Sequence, residues 1–237
     1  MTKNQLNEVI NSILNNGDEL STVVYAVLKD TFEVKQLNIV NDEILYIQNM
    51  FIESIRNTII ENEEQVLLNV SIADDRGNAI FLYDLDLPKG LNFLNTELND
   101  QLPIFSFNND ELTDIDSLII EIGTEEQQLK LYKKLSPVEI FGRGGYMLWK
   151  SNNQLERFDD KILRFTPKFH SIMINGEIIF TDLKLLETSH GFHDIIIREA
   201  NLSVQLIADL DILEETDGIT EMLSSVTFAR KVLKILQ

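Results

Sequence analysis

An Asn-Gly pair, Asn175-Gly176, stands between two short apolar runs, 170–174 and 177–181. Both central positions of a two-residue hairpin turn need φ > 0, which Asn and Gly tolerate best. The dipeptide in this setting is therefore the strongest short-range hairpin signal a sequence offers. It commits this part of the chain to an antiparallel sheet. Short β-rich runs at 117–122, 128–135, 146–151 and 161–165 precede it and supply further strands.

Helical periodicity lies on either side of these runs. Leu6, Val9, Ile10, Ile13 and Leu14 share one helical face. Ile44, Ile47, Phe51, Ile55 and Ile59 do the same within 42–62. Between them, 21–29 and 32–40 read as a hairpin about Asp30-Thr31, and 79–83 reads as a strand. Residues 193–213 and 219–236 each carry a broad apolar face, with Asp217 placed as N-cap of the last helix. Strands followed by helices, without regular alternation, define an α+β fold with a central, mostly antiparallel sheet. The irregular stretch 88–107, with Pro88, Pro103 and many Asn and Asp residues, is the candidate boundary. It divides an acidic N-terminal α/β part, 1–115, from the sheet and C-terminal helices, 116–237, unless the two are one continuous domain.

With no cysteine among 237 residues, disulfides, thiolate nucleophiles and cysteine-based zinc sites are excluded. No apolar run approaches the ~20 residues a bilayer requires, and no basic head with an apolar stretch opens the chain. The expectation is a cytoplasmic protein that reaches a membrane only through a partner.

The net charge of −19 opposes bulk attraction to nucleic acid or anionic lipid. Its distribution is uneven. Residues 1–125 carry −17 and 171–237 carry −6, whereas 126–170 carry +4. That positive block is where a polyanion would bind. Its cations are Lys130, Lys133, Lys134, Arg143, Lys150, Arg157, Lys161, Arg164 and Lys168, interleaved with Tyr132, Tyr146, Trp149 and Phe158. Charge for phosphates and rings for stacking are what a nucleic-acid groove needs. Strand alternation puts Lys130, Tyr132 and Lys134 on one face and Lys133 on the other. The competing reading is the polar face of an ordinary sheet with its aromatics in the core.

No Walker A loop, nucleophile elbow, zinc-protease helix or EF-hand loop is present. Gly142-Arg143-Gly144-Gly145 lacks the spacing of a dinucleotide fingerprint and reads as a connection between strands. Glu177, Asp182 and Lys184 faintly resemble the acid-x-lysine centre of metal-dependent nucleases; the plainer reading is a capping aspartate beside a solvated lysine. His170, His190 and His193 lack the further ligands of a metal site and read as surface or capping residues. Arg230, Lys231 and Lys234 complement a helix C-terminus. No cofactor is expected.

Several stretches resemble the KwaB family of the bacterial Kiwa anti-phage defence system. Asp74-Asp75-Arg76-Gly77-Asn78-Ala79-Ile80-Phe81 is similar to its D-D-R-x-N-A-hydrophobic-F segment, and Lys161-Ile162-Leu163-Arg164-Phe165 to its I-L-R strand. Leu186-Glu187-Thr188 and Phe192-His193 follow the Asn-Gly hairpin as in its L-E-T…F-H stretch. Val226-Thr227-Phe228-Ala229-Arg230-Lys231 resembles its F-A-R-K helix. The order holds over most of the chain, and none of these stretches is catalytic.

The resemblance implies a homo-oligomeric effector that works with KwaA, a multi-helix membrane protein, and assembles on it at the inner membrane. It further implies non-catalytic DNA binding that restrains phage replication and transcription. The family runs on past the F-A-R-K helix, so this chain reads as lacking a C-terminal part. Two other functions remain open, a metal-dependent nuclease and a protein-interaction module whose acidic half docks on a basic partner.

Overall fold

The computed structural model describes residues 1–72, 77–99, 101–141, 147–151, 154–158, 162–209 and 217–236. In chain order the first elements are α1 (Lys3–Leu14), β1 (Ser21–Leu28), β2 (Val34–Gln36) and α2 (Asn41–Ile55). Strands β3 (Val66–Asn69) and β4 (Ala79–Leu82) follow, then β5 (Ile115–Gly123), β6 (Gln128–Lys134) and β7 (Ile140–Phe141). Next come β8 (Met147–Ser151), β9 (Gln154–Phe158), β10 (Ile162–Leu163), β11 (Ser171–Ile174) and β12 (Glu177–Phe180). Helices α3 (Lys184–Ser189), α4 (Phe192–Ala208), α5 (Asp217–Met222) and α6 (Val226–Leu236) complete the described chain. The protein is α+β, and among the described strand pairs all are antiparallel except β3 with β4.

Two compact units form. The first comprises 3–63 and 93–176; the second comprises 64–92 and 177–237. In the first, strands run β2-β1-β5-β6-β11, each antiparallel to its neighbour. Strand β5 is buried along almost its whole length, which suits its near-continuous apolar sequence Ser117-Leu-Ile-Ile-Glu-Ile122. Helix α1 buries Leu6, Ile10, Ile13 and Leu14 and lies against β6; α2 buries Ile47, Phe51 and Ile55 and lies against β1. Gln48 on α2 accepts a hydrogen bond from the Thr22 hydroxyl on β1 at 2.8 Å.

Several boundaries differ from the sequence expectation for local reasons. The expected helix 42–62 ends as an α-helix at Ile55 and continues through a wider π-turn, Arg56–Ile60, which keeps Ile59 buried. The β1–β2 connection is longer than the expected two residues, with Phe32 at φ 55° and its ring stacked on Phe93. The expected helix 219–236 is broken at 223–225 between α5 and α6. The irregular stretch 88–107 contains a helical turn, Lys89–Asn95, and Phe93 and Phe105 are buried in the first unit. Capping by the Asp217 side chain lies outside the described residues.

In the second unit β12 pairs antiparallel with β4, and β3 pairs parallel with β4. Ser71 holds Asp84 through its backbone N–H at 3.0 Å and its hydroxyl at 2.5 Å. Arg230 on α6 is ion-paired with Glu187 on α3, and its guanidinium lies 6.0 Å from the Phe192 ring centre. That residue serves helix packing.

The turns explain two glycines. Asn175 and Gly176 have φ of 51° and 78°, as the hairpin signal requires. Gly123 ends β5 where the chain doubles back into β6. A Cβ there would sit 2.2 Å from the Gln127 carbonyl oxygen and 2.7 Å from the Gln128 Cα, both backbone atoms with no room to yield. We expect Gly123→Ala to lower the unfolding free energy by about 2–3 kcal/mol, as strain at a tight turn does. Urea denaturation would measure it; a change within experimental error would refute this account of the turn.

Candidate nucleic-acid interface

Three of the nine candidate cations lie on β6, and each meets a carboxylate. Lys130 stands opposite Glu121 on β5, with its Nζ 3.8 Å from the Glu121 Oε2. Burial raises the Glu121 pKa, and Lys130 opposes the shift. Lys134 is ion-paired with Asp116. Tyr132, between them on the same face, is fully buried against Phe93 and His170. Its ring belongs to the core, and burial pushes its hydroxyl pKa well up.

Lys133, on the opposite face, is 1% exposed. Its Nζ lies 2.7 Å from Glu139 Oε1 and donates to the Thr166 hydroxyl at 2.7 Å and the Lys168 carbonyl at 2.9 Å. An ammonium has three protons, and all three are used. The Thr166 hydroxyl in turn donates to Glu139 Oε1. Ser136 donates to Glu139 Oε2 through its backbone N–H at 2.9 Å and its hydroxyl at 2.8 Å. Burial alone would raise the Glu139 pKa, but the hydrogen bonds from Lys133, Thr166 and Ser136 outweigh it and hold the carboxyl at about 2. Burial draws the Lys133 pKa down, with Glu139 pulling against it. Lys133 is thus out of reach of a surface polyanion.

This network floors a hollow of ≈ 240 Å³ that is also lined by Lys134, Arg164, Lys168 and His170. Arg164 and Lys168 are exposed, and among the described residues neither side chain is ion-paired. The backbone beside them is fixed: Arg164 N–H donates to the Glu139 carbonyl at 2.8 Å, and the Lys168 carbonyl receives Lys133. The His170 Nδ1 accepts the Lys134 backbone N–H at 3.0 Å, so this histidine serves the sheet. Lys150 and Arg157 are placed by strand register, opposite Leu155 and Leu148 of the β8–β9 pair. Arg143 and Lys161 lie outside the described residues, as does the Gly142–Gly145 turn.

The residues of the nuclease alternative are in the second unit. Asp182 accepts the Leu185 backbone N–H at 3.4 Å, at the start of α3, and Lys184 is exposed. His193 Nε2 lies 3.6 Å from Glu187 Oε1. Among the described residues no group of three or more His, Asp or Glu is arranged to hold a metal ion. No helix among them is long and apolar enough to cross a membrane. The network around Glu139 is not legible in the sequence. Its one local signal is Ser136-x-x-Glu139, whose spacing matches a capping box but precedes no helix.

The first unit is α+β, with a polar, partly basic hollow beside its sheet. The family model described as Kiwa protein KwaB-like matches residues 112–237, and the chain belongs to that family. It is a component of Kiwa anti-phage defence. Over 241 aligned residues it is 26% identical to the Kiwa protein KwaB of Escherichia coli O55:H7 (strain RM12579 / EPEC), covering 99% of this chain and 76% of that protein. No solved structure matches it.

Two outcomes test the buried network. Lys133→Met should destabilise the protein by about 3–5 kcal/mol, since it strands a buried carboxylate, whereas Lys133→Met with Glu139→Leu should recover most of the loss. Chemical denaturation of both variants checks this; equal losses would show that charge pairing is not what matters. Separately, the Glu139 pKa is depressed, so its contribution is complete above the ordinary value of 4.5 and is lost as pH falls through about 2. Wild-type stability should therefore drop between those limits more steeply than that of Glu139→Gln. Parallel acid titrations would contradict the assignment.

Proposed function

We propose that this chain is a non-catalytic, DNA-binding effector of Kiwa defence. It acts as a homo-oligomer with a KwaA-like membrane protein, which recruits it from the cytoplasm to the inner membrane, and it restrains phage replication and transcription there. The observation that carries DNA binding is the pair Arg164 and Lys168, exposed beside a rigid polar floor in the net-positive stretch of the sequence. Lys130 and Lys134 already face carboxylates, so they contribute less to a phosphate contact. Lys150, Arg157, Arg143 and Lys161 remain candidates from the sequence. Contacts of this kind position a duplex by its phosphates and read no bases. The surrounding acidity makes binding weak for a single chain, and juxtaposed copies would strengthen it.

Salt-dependent titration against two unrelated duplexes tests this. Arg164→Ala with Lys168→Ala should weaken binding alike on both and flatten the log–log salt dependence by roughly 0.9 for each phosphate no longer neutralised. Lys89→Ala with Lys184→Ala, two exposed lysines of the second unit, should leave both unchanged. Equal effects from the two pairs, or none from either, would remove the hollow from consideration.

The second reading, a nuclease centred on Glu177, Asp182 and Lys184, differs in one measurement. Purified protein with Mg²⁺ or Mn²⁺ should leave plasmid and linear DNA intact. Cleavage that disappears in Asp182→Ala would overturn the non-catalytic assignment.

A further inference from the structure

Strand β1 is not fully paired along its outer side. Strand β2 covers it only at Tyr25, Ala26 and Val27, and the last hydrogen bond on that side runs from the Leu37 N–H to the Val24 carbonyl at 2.8 Å. Backbone groups alternate sides along a strand. Thr22, two residues before Val24, therefore turns its N–H and C=O to the same side, where β2 has already ended. Beyond β2 the edge is closed, because Gln36 exchanges hydrogen bonds with Pro103 and Phe105 at 2.8 Å each. The gap is confined to the first half of β1.

A hollow of ≈ 370 Å³ fills that gap. Apolar side chains line it, among them Val23, Leu37, Ile39, Ile44 and Ile104, and Ile104 is 63% exposed. The space suits roughly three residues of extended chain. Carboxylates flank it at one end: Asp42 and Glu43, in the first turn of α2, are exposed beside Asn41 and Ile44, which line the hollow. At the Ser21 end of β1, Glu19, Glu125 and Glu126 line a second hollow of ≈ 530 Å³.

We propose that the open edge of β1 is a docking groove for an extended, basic peptide segment of a partner protein, which adds as a short strand beside Thr22. Main-chain hydrogen bonds to Thr22 would supply affinity, alternate apolar side chains would enter the hollow, and lysine or arginine would face the flanking carboxylates. An apolar strand edge left open is otherwise a template for self-association, and the carboxylates beside it discourage a second acidic copy from taking the place.

Fluorescence anisotropy with the full chain and a labelled decapeptide alternating valine with lysine tests the groove. Three comparisons are informative: the same peptide with a central proline pair, a version with glutamate for lysine, and the Ile104→Lys protein. Each change should weaken binding by about tenfold or more, the size expected for one lost buried hydrogen bond or a like-charge clash. Ile104 is largely exposed, so its variant keeps the fold, and a thermal melt confirms this. A second variant, Glu43→Lys, should weaken binding and reduce its salt dependence. Equal binding of the proline peptide would reduce the interaction to unspecific charge and overturn strand addition. Absence of binding by the first peptide, or a wild-type dimer that Ile104→Lys dissociates, would also overturn the proposal.

Discussion

The first unit depends on one buried ion pair. Lys133 and Glu139 sit inside the protein, where an unpaired charge would be untenable, and each is held by further hydrogen bonds from nearby segments. The consequence is positional. The end of β6, the 136–139 turn and the 164–168 segment are fastened at a single point, so the backbone that carries Arg164 and Lys168 has little freedom.

Pairing limits how many free cations a chain of net charge −19 can present. Positive side chains in an acidic protein are drawn to its own carboxylates first. Lys130, Lys134, Lys35 and Arg198 are all taken up this way; the hydrogen bond between Lys35 and Asp110 raises the pKa of the lysine and lowers that of the aspartate. What is left for a ligand after internal pairing is a much smaller set than a count of lysines suggests.

The legible and illegible parts of the fold divide along this line. Hairpin and helix signals are local: Asn175-Gly176 fixes its turn by backbone preference, and the apolar faces of α1 and α2 are read from spacing alone. The end of α2 is not readable in this way, because Ile59 keeps the periodic pattern while the backbone widens into a π-turn. The role of Lys133 is hidden for a deeper reason. Its partners at 139, 166 and 168 come together only through tertiary packing, and no property of residues 130–134 distinguishes the buried lysine from its neighbours except its place on the alternate face. Tyr132 shows the same limit, since an aromatic among cations reads equally well as a stacking platform or as core.

The second unit is assembled from two stretches separated by the 84 residues of 93–176. During synthesis, at about 5–20 residues per second, β3 and β4 would leave the ribosome and wait roughly 4–17 s before β12 begins to be made, with the C-terminal helices later still. Over that interval Ile80 and Phe81, both buried in the finished protein, have no complete core to enter. The first unit faces no such delay after 176, because its segments are all in hand by then. The chain therefore has a vulnerable period set by the order of its sequence, and slowing translation beyond residue 92 would lengthen it.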